Sequence, residues 1–117
     1  MDDRLWIEEL PLAVTVCDRD GIVLRMNRRA VETFAQDGGA GLVGTSLLSC
    51  HPEPARSHLV AMLASGEQNA YTIRKNGRKK LIYQVPWCRD GVYSGFVELS
   101  LPLPETLPHF DRDPPRG

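Results

Sequence analysis

The sequence lacks the covalent scaffolding of a small secreted domain. Its three cysteines, Cys17, Cys50 and Cys88, are an odd number, widely spaced, and no Cys-X-X-Cys pair occurs. This argues against a disulfide framework and against a structural zinc site, which needs ligands at short paired spacing. Cys-X-X-Cys-His is missing too, so covalent c-type haem attachment is not expected. No apolar run is long enough to span a bilayer. The opening decapeptide, MDDRLWIEEL, is acidic and unlike a secretory signal. An excess of one charge is also lacking: the formal net charge is -1, so no global attraction draws the chain to nucleic acid or to a membrane. No internal repeat is evident. Together these absences predict a cytoplasmic protein with reduced thiols. The rest is ordinary: 117 residues, 42% hydrophobic and 25% charged, suit one domain around one modest core.

Residues 1–11 read as a short amphipathic helix stopped by Pro11, with Leu5, Trp6 and Leu10 roughly on one face. Such a helix is too short to stand alone, so its stripe has to dock, on the outer face of a sheet or across a homodimer two-fold. Residues 12–103 read as the domain proper. Leu12 to Cys17 is rich in β-branched residues, DRDG is turn chemistry, and Ile22 to Met26 is a second strand, which together signal a hairpin. Asn27 follows as the N-cap of a helix over RRAVETFAQ, and the glycines after it end that helix. LVGTSLL is ambiguous and is read as a helical turn. Leu59, Met62 and Leu63 then form the stripe of a longer helix that Gly66 closes. Pro52 and Pro54 are tolerated only at or before its first turn, which puts Cys50 and His51 at its mouth.

The last third predicts three antiparallel strands turned at Asn76-Gly77 and Asp90-Gly91. Five of the nine prolines lie beyond Leu101, so residues 104–117 are expected to be a flexible tail that pairs with nothing. Two strands at one end and three at the other predict an α+β fold: one five-stranded antiparallel sheet with helices on one face.

ELPLAVTVCDRDGIVLRMNRRAVETF, LVGTSL, ASGE, RKNGRKK and GVYSGFVELS, in this order from Ile7 to Leu101, resemble the segments of a PAS domain, a sensor module of bacterial and archaeal signalling. The Cys-His-Pro run at Cys50 to Pro52 resembles one PAS subgroup. Where many PAS domains end in an Asp-Ile-Thr-like motif, this chain has LSLPLPETLP, so the resemblance points to a signalling partner in trans. It implies a non-enzymatic module that holds a small ligand or cofactor between helices and sheet and signals through a dimer interface. The rivals are a ligand-free PAS dimerisation module and a Cys/His thiol enzyme. The Asn-Cys-Arg-Phe-Leu-Gln stretch of flavin photosensors does not occur. The places where photoactive yellow protein holds its chromophore resemble Met26 and Ala30, which donate no hydrogen bond.

The ligand is not identified by the sequence; haem is one candidate cofactor. The resemblance puts the haem-ligating histidine of oxygen-sensing PAS domains near His51 and His58, with His51 the candidate ligand to iron and Cys50 a possible thiolate. Phe34, Leu59, Met62, Leu63 and Trp87 would supply apolar walls. Each has a plainer reading: His51 closes a helix mouth, His58 is solvated, and Cys50 is a small buried side chain. Cys50 and His51 make a poor nucleophile–base pair, because neighbours on a helix point apart and no residue orients the imidazole. Glu98 interrupts an apolar strand; buried, it needs a partner such as Asn27, Tyr83 or an arginine. Glu98 and Asn27 therefore complete the expected ligand-binding set. The five basic residues of RKNGRKK, with no aromatic among them, read as a solvated hairpin tip.

Overall fold

The computed structural model describes residues 5–115, except for the side chain of Cys50. Residues 1–4, the start of the expected N-terminal helix, and the last two residues lie outside it. Helix α1 (Leu5–Glu9) leads into β1 (Ala13–Asp18) and β2 (Val23–Met26). Helix α2 (Arg28–Thr33) follows, then two 3-10 turns over Ala35–Asp37 and Gly39–Leu42. Helices α3 (Leu47–Cys50) and α4 (Ala55–Ser65) precede β3 (Asn69–Lys75), β4 (Arg78–Arg89) and β5 (Val92–Pro102). The strands form one antiparallel sheet in the order β2-β1-β5-β4-β3. The N-terminal hairpin thus joins the C-terminal strands edge to edge, with β5 in the middle.

Local chemistry sets the turns. Asp18 Oδ1 accepts from the backbone N–H groups of Asp20 (2.9 Å) and Ile22 (3.0 Å), closing the first hairpin. Asn76-Gly77 and Asp90-Gly91 have positive φ at both positions, the type I′ geometry that matches strand twist. Asn27 caps α2 by accepting from Ala30 N–H, and Gly66 closes α4 in the left-handed conformation. The expected helix over residues 28–36 is split: its last residues form a 3-10 turn. LVGTSLL becomes the end of a second 3-10 turn followed by α3, with Ser46 as N-cap.

The core is two clusters on the helix-covered face. Ala13, Val23, Met26 and Ala30 form one, and Cys17, Met62, Leu63 and Phe96 the other; Leu47 packs against both. The opposite face carries half-buried Val16, Tyr83, Val85, Val97 and Leu99. No helix among the described residues is long and apolar enough to cross a membrane.

Leu5 and Trp6 are more than half exposed in the single chain, where α1 is held by the ion pairs Glu8–Arg25 and Glu9–Arg28 and by Asn27. One detail differs from expectation: residues 104–117 were expected to pair with nothing, yet Glu105 makes a two-pronged pair with Arg74 (2.8 and 2.9 Å), just past Leu103, whose N–H donates to Lys79 O. The fork of Arg74 matches a carboxylate, and the pair raises the Arg74 pKa and lowers that of Glu105.

Candidate functional site

The residues that face the helices from the centre of the sheet lie in one row. Asn69, Gln84, Glu98, Thr15 and Met26 are successive cross-strand partners from β3 to β2. Side chains along a strand alternate between faces, so one row places all five on the same side. Four of the five are polar, and a polar row under helices has to find partners. Gln84 Nε2 donates to Glu98 Oε2 (2.8 Å), and Asn69 Nδ2 donates to Gln84 Oε1 (3.1 Å). A carboxylate only accepts, so the orientation of the Gln84 amide is fixed by the network.

Above this row lies a cavity of about 420 Å³ between the two core clusters. Val23, Met26, Phe34 and Leu42 line one side and Cys17, Leu59, Met62 and Phe96 the other. Its polar groups are Thr15, Gln84 and Glu98 on the sheet, Asp37 from the first 3-10 turn, and His51. A mostly apolar enclosure with a few convergent polar groups is the usual form of a small-molecule site. A second, more open groove of about 590 Å³ lies between α4 and β3 and shares His51, Leu59, Met62 and Gln84 with the cavity.

Of the expected site residues, His51, Leu59, Met62 and Glu98 come together around the cavity. His58 is exposed and reaches only the outer groove. Asn27 does not reach the cavity: its amide is consumed by four hydrogen bonds to backbone. Trp87 does not reach it either. It pairs with Gly95, one position from the inward Phe96, so it lies on the other face, and its indole N–H donates to Cys17 O at 3.0 Å. Cys50 ends α3, but its side chain lies outside the described structure. Glu98 has Gln84 as its partner in place of the expected Asn27, Tyr83 or arginine. Gln84, Thr15 and Asp37 were not singled out in the sequence.

Cys50 and His51 terminate α3 rather than open α4. His51 is the C-cap, and its Nδ1 lies 2.6 Å from Leu47 O. Because a carbonyl only accepts, Nδ1 carries the proton, and in the neutral ring Nε2 keeps its lone pair. Arg56 Nε donates to Leu48 O and His51 O, completing the closure of this short helix. The buried Cys17 thiol is pushed above its ordinary pKa, chiefly by burial. The Phe96 backbone hydrogen bond opposes this, while the nearby charges of Asp18 and Glu98 add to it. A thiol held neutral is a poor nucleophile. Burial, then the charge of Glu98, likewise raises the pKa of Tyr71 beside the outer groove.

Haem fits this lining poorly. His51 Nε2 suits an axial ligand. Asp37 and Glu98, however, present carboxylates to the space that would take a macrocycle bearing two carboxylates of its own, and among the described residues no lysine or arginine lines it. Among the described residues no three His, Cys, Asp or Glu side chains group to hold a metal ion.

No protein-family model matches the chain, and no curated protein matches it in sequence. Solved structures do match. The chain overlays the PAS domain of BvgS from Bordetella pertussis with a TM-score of 0.60 at 20% identity, covering 87% of this chain and 84% of that one. It has the PAS fold. A Vibrio cholerae Aer2 receptor structure, described as a dual PAS-heme oxygen sensor, gives 0.63 at 16% identity, over 80% of this chain and 95% of that one. The PAS domain of an HTR-like protein from Haloarcula marismortui gives 0.58 at 15%, over 84% and 91%. The PAS resemblance read from the sequence and the single antiparallel sheet agree with these overlays.

Proposed function

We propose that this PAS-fold chain is a non-enzymatic, cytoplasmic sensory module that takes a small ligand into the cavity between α2, α4 and the sheet. The observation that carries the reading is the cavity itself: an apolar enclosure of about 420 Å³ whose floor is a bonded polar row. Support also comes from what it overlays, a receptor described as an oxygen sensor and other PAS domains. Against catalysis stands the absence of an activated nucleophile among the described cavity residues, since the Cys17 thiol is held neutral by burial.

Native mass spectrometry of the purified chain, with small-molecule extraction, is expected to find a ligand. Met62→Trp, which fills the cavity, is expected to lose it. The ligand-free dimerisation module gains if no ligand is found and headless apolar probes such as 5-fluoroindole do not bind. Hemin titration is expected to give no saturating Soret band; a stoichiometric band lost in His51→Ala would overturn the lining argument.

Ligand occupancy is read out through α1 and a homodimer, with a partner in trans as the receiver. The support is apolar surface without a cover in the single chain: Leu5 and Trp6, and the half-buried Val97 and Leu99 row on the sheet's other face. Leu5→Ser with Trp6→Ser is expected to halve the mass seen by light scattering. An unchanged dimer would remove α1 from the interface.

A further inference from the structure

The cavity discriminates between head groups as well as sizes. Its floor ends in Glu98, whose Oε2 takes the Gln84 amide while Oε1 receives no hydrogen bond from the described residues. Directly across the β1–β5 pairing stands Thr15, whose hydroxyl makes no hydrogen bond among the described residues. Both line the cavity, so an acceptor and a hydroxyl face one place on its floor. The second carboxylate, Asp37, lies elsewhere in the same lining, and the one basic side chain among its described residues is His51. Its proton-bearing nitrogen is already bonded to Leu47 O, which leaves Nε2 as an acceptor in the neutral ring. Acceptors, two of them carboxylates, therefore dominate the described polar lining, beside two neutral donors, the Thr15 hydroxyl and the Gln84 Nε2 hydrogen not bonded to Glu98.

We infer that, given the ligand-binding reading, the ligand is an apolar body bearing a hydrogen-bond-donor head, with a protonated amine preferred over a hydroxyl and a carboxylate excluded. The head lies at Thr15 and Glu98 and supplies the donor that Glu98 Oε1 lacks. The body lies against Met26, Phe34, Met62 and Phe96. A carboxylate head would meet Glu98 with no cation to offset it, and burying like charges together is costly. Selectivity here comes from repulsion of the wrong head as much as from attraction of the right one.

The test uses the full chain and four fluorinated probes that share one ring N–H, titrated by fluorine NMR: 5-fluorotryptamine, 5-fluorotryptophol, 5-fluoroindole-3-acetate and 5-fluoroindole, which lacks the side-chain head. The amine is expected to bind about tenfold or more tighter than the carboxylate, with the alcohol between them. Glu98→Gln is expected to bring amine and carboxylate within about threefold of one another. A carboxylate that binds the unaltered chain as tightly as the amine overturns the inference while leaving the cavity reading intact. So does a preference that survives in Glu98→Gln. Failure of 5-fluoroindole to bind, or binding that Met62→Trp does not abolish, overturns the cavity reading itself. The ranking in the unaltered chain is decisive even where Glu98→Gln does not fold.

Discussion

Gly95→Ala is expected to destabilise the chain by about 3 kcal/mol or more, a loss of roughly 10 °C or more in Tm. At Gly95 the backbones of β5 and β1 and the Trp87 indole converge. A Cβ there would overlap Cys17 O and lie 2.8 Å from Asp18 Cα and from Trp87 Nε1. Two of these neighbours are backbone of the central strand pair, and the third is fixed by its bond to Cys17 O. Neither a rotamer change nor a small shift relieves the clash. Gly95 also has φ 154°, a conformation that L side chains rarely adopt. Gly91→Ala is the control. It too has positive φ, 80°, but open space where the Cβ would go. It is expected to cost about 1 kcal/mol, the conformational part alone. Urea denaturation of the two variants measures the difference; equal losses would show that close approach at Gly95 is unimportant.

Asn27→Ala is expected to cost about 3 kcal/mol, well above the cost of an ordinary helix cap. The side chain is 1% exposed and uses its whole bonding capacity. Oδ1 accepts from Val14 N–H (2.9 Å) and Ala30 N–H (3.0 Å), and Nδ2 donates to Ile7 O (2.9 Å) and Leu12 O (2.8 Å). One amide thus holds α1, the lead into β1, β1 and α2. Truncation leaves four backbone groups to find other partners, some of them buried. Asn27→Asp separates the roles. It keeps both acceptor bonds, cap included, but turns an oxygen toward Ile7 O and Leu12 O. Its expected effect is a selective loss of hydrogen-exchange protection around Leu12 and β1, with α2 still protected. Uniform loss across the chain would refute the division.

Much of the fold was legible because it was written in short-range chemistry. Asn76-Gly77, Asp90-Gly91, the Asn27 cap and the Gly66 stop each act within a few residues, and all four stand where they were read. The cavity floor was less legible. Counting back from the turn at Asp90-Gly91 sets Tyr83 opposite Glu98, and Tyr83 was among the partners expected. A bulge intervenes: Cys88 faces Tyr93, but Trp87 faces Gly95, so Ser94 is an extra residue in β5. That single insertion slides the pairing by one position, brings Gln84 to Glu98 and decides which face each later side chain takes. Asp37 escaped notice for another reason. It falls just past the helix expected over residues 28–36, in a run read only as a helix stop, whereas the structure ends that helix at Thr33 and holds Asp37 in a 3-10 turn. His51 was located near the site, but its bond to Leu47 O depends on α3, a helix of four residues too short to announce itself by periodicity.

The shared wall of the cavity and the outer groove bears on kinetics rather than on equilibrium. His51, Leu59, Met62 and Gln84 border both spaces, so passage between the cavity and the outer groove runs past them. On the proposed ligand-binding reading, residence time and selectivity fall to different residues: Glu98 and Thr15 set which head is favoured, whereas Leu59 and α4 set how long the ligand stays. Leu59→Ala would then quicken arrival and departure together and leave the ranking of ligands in place.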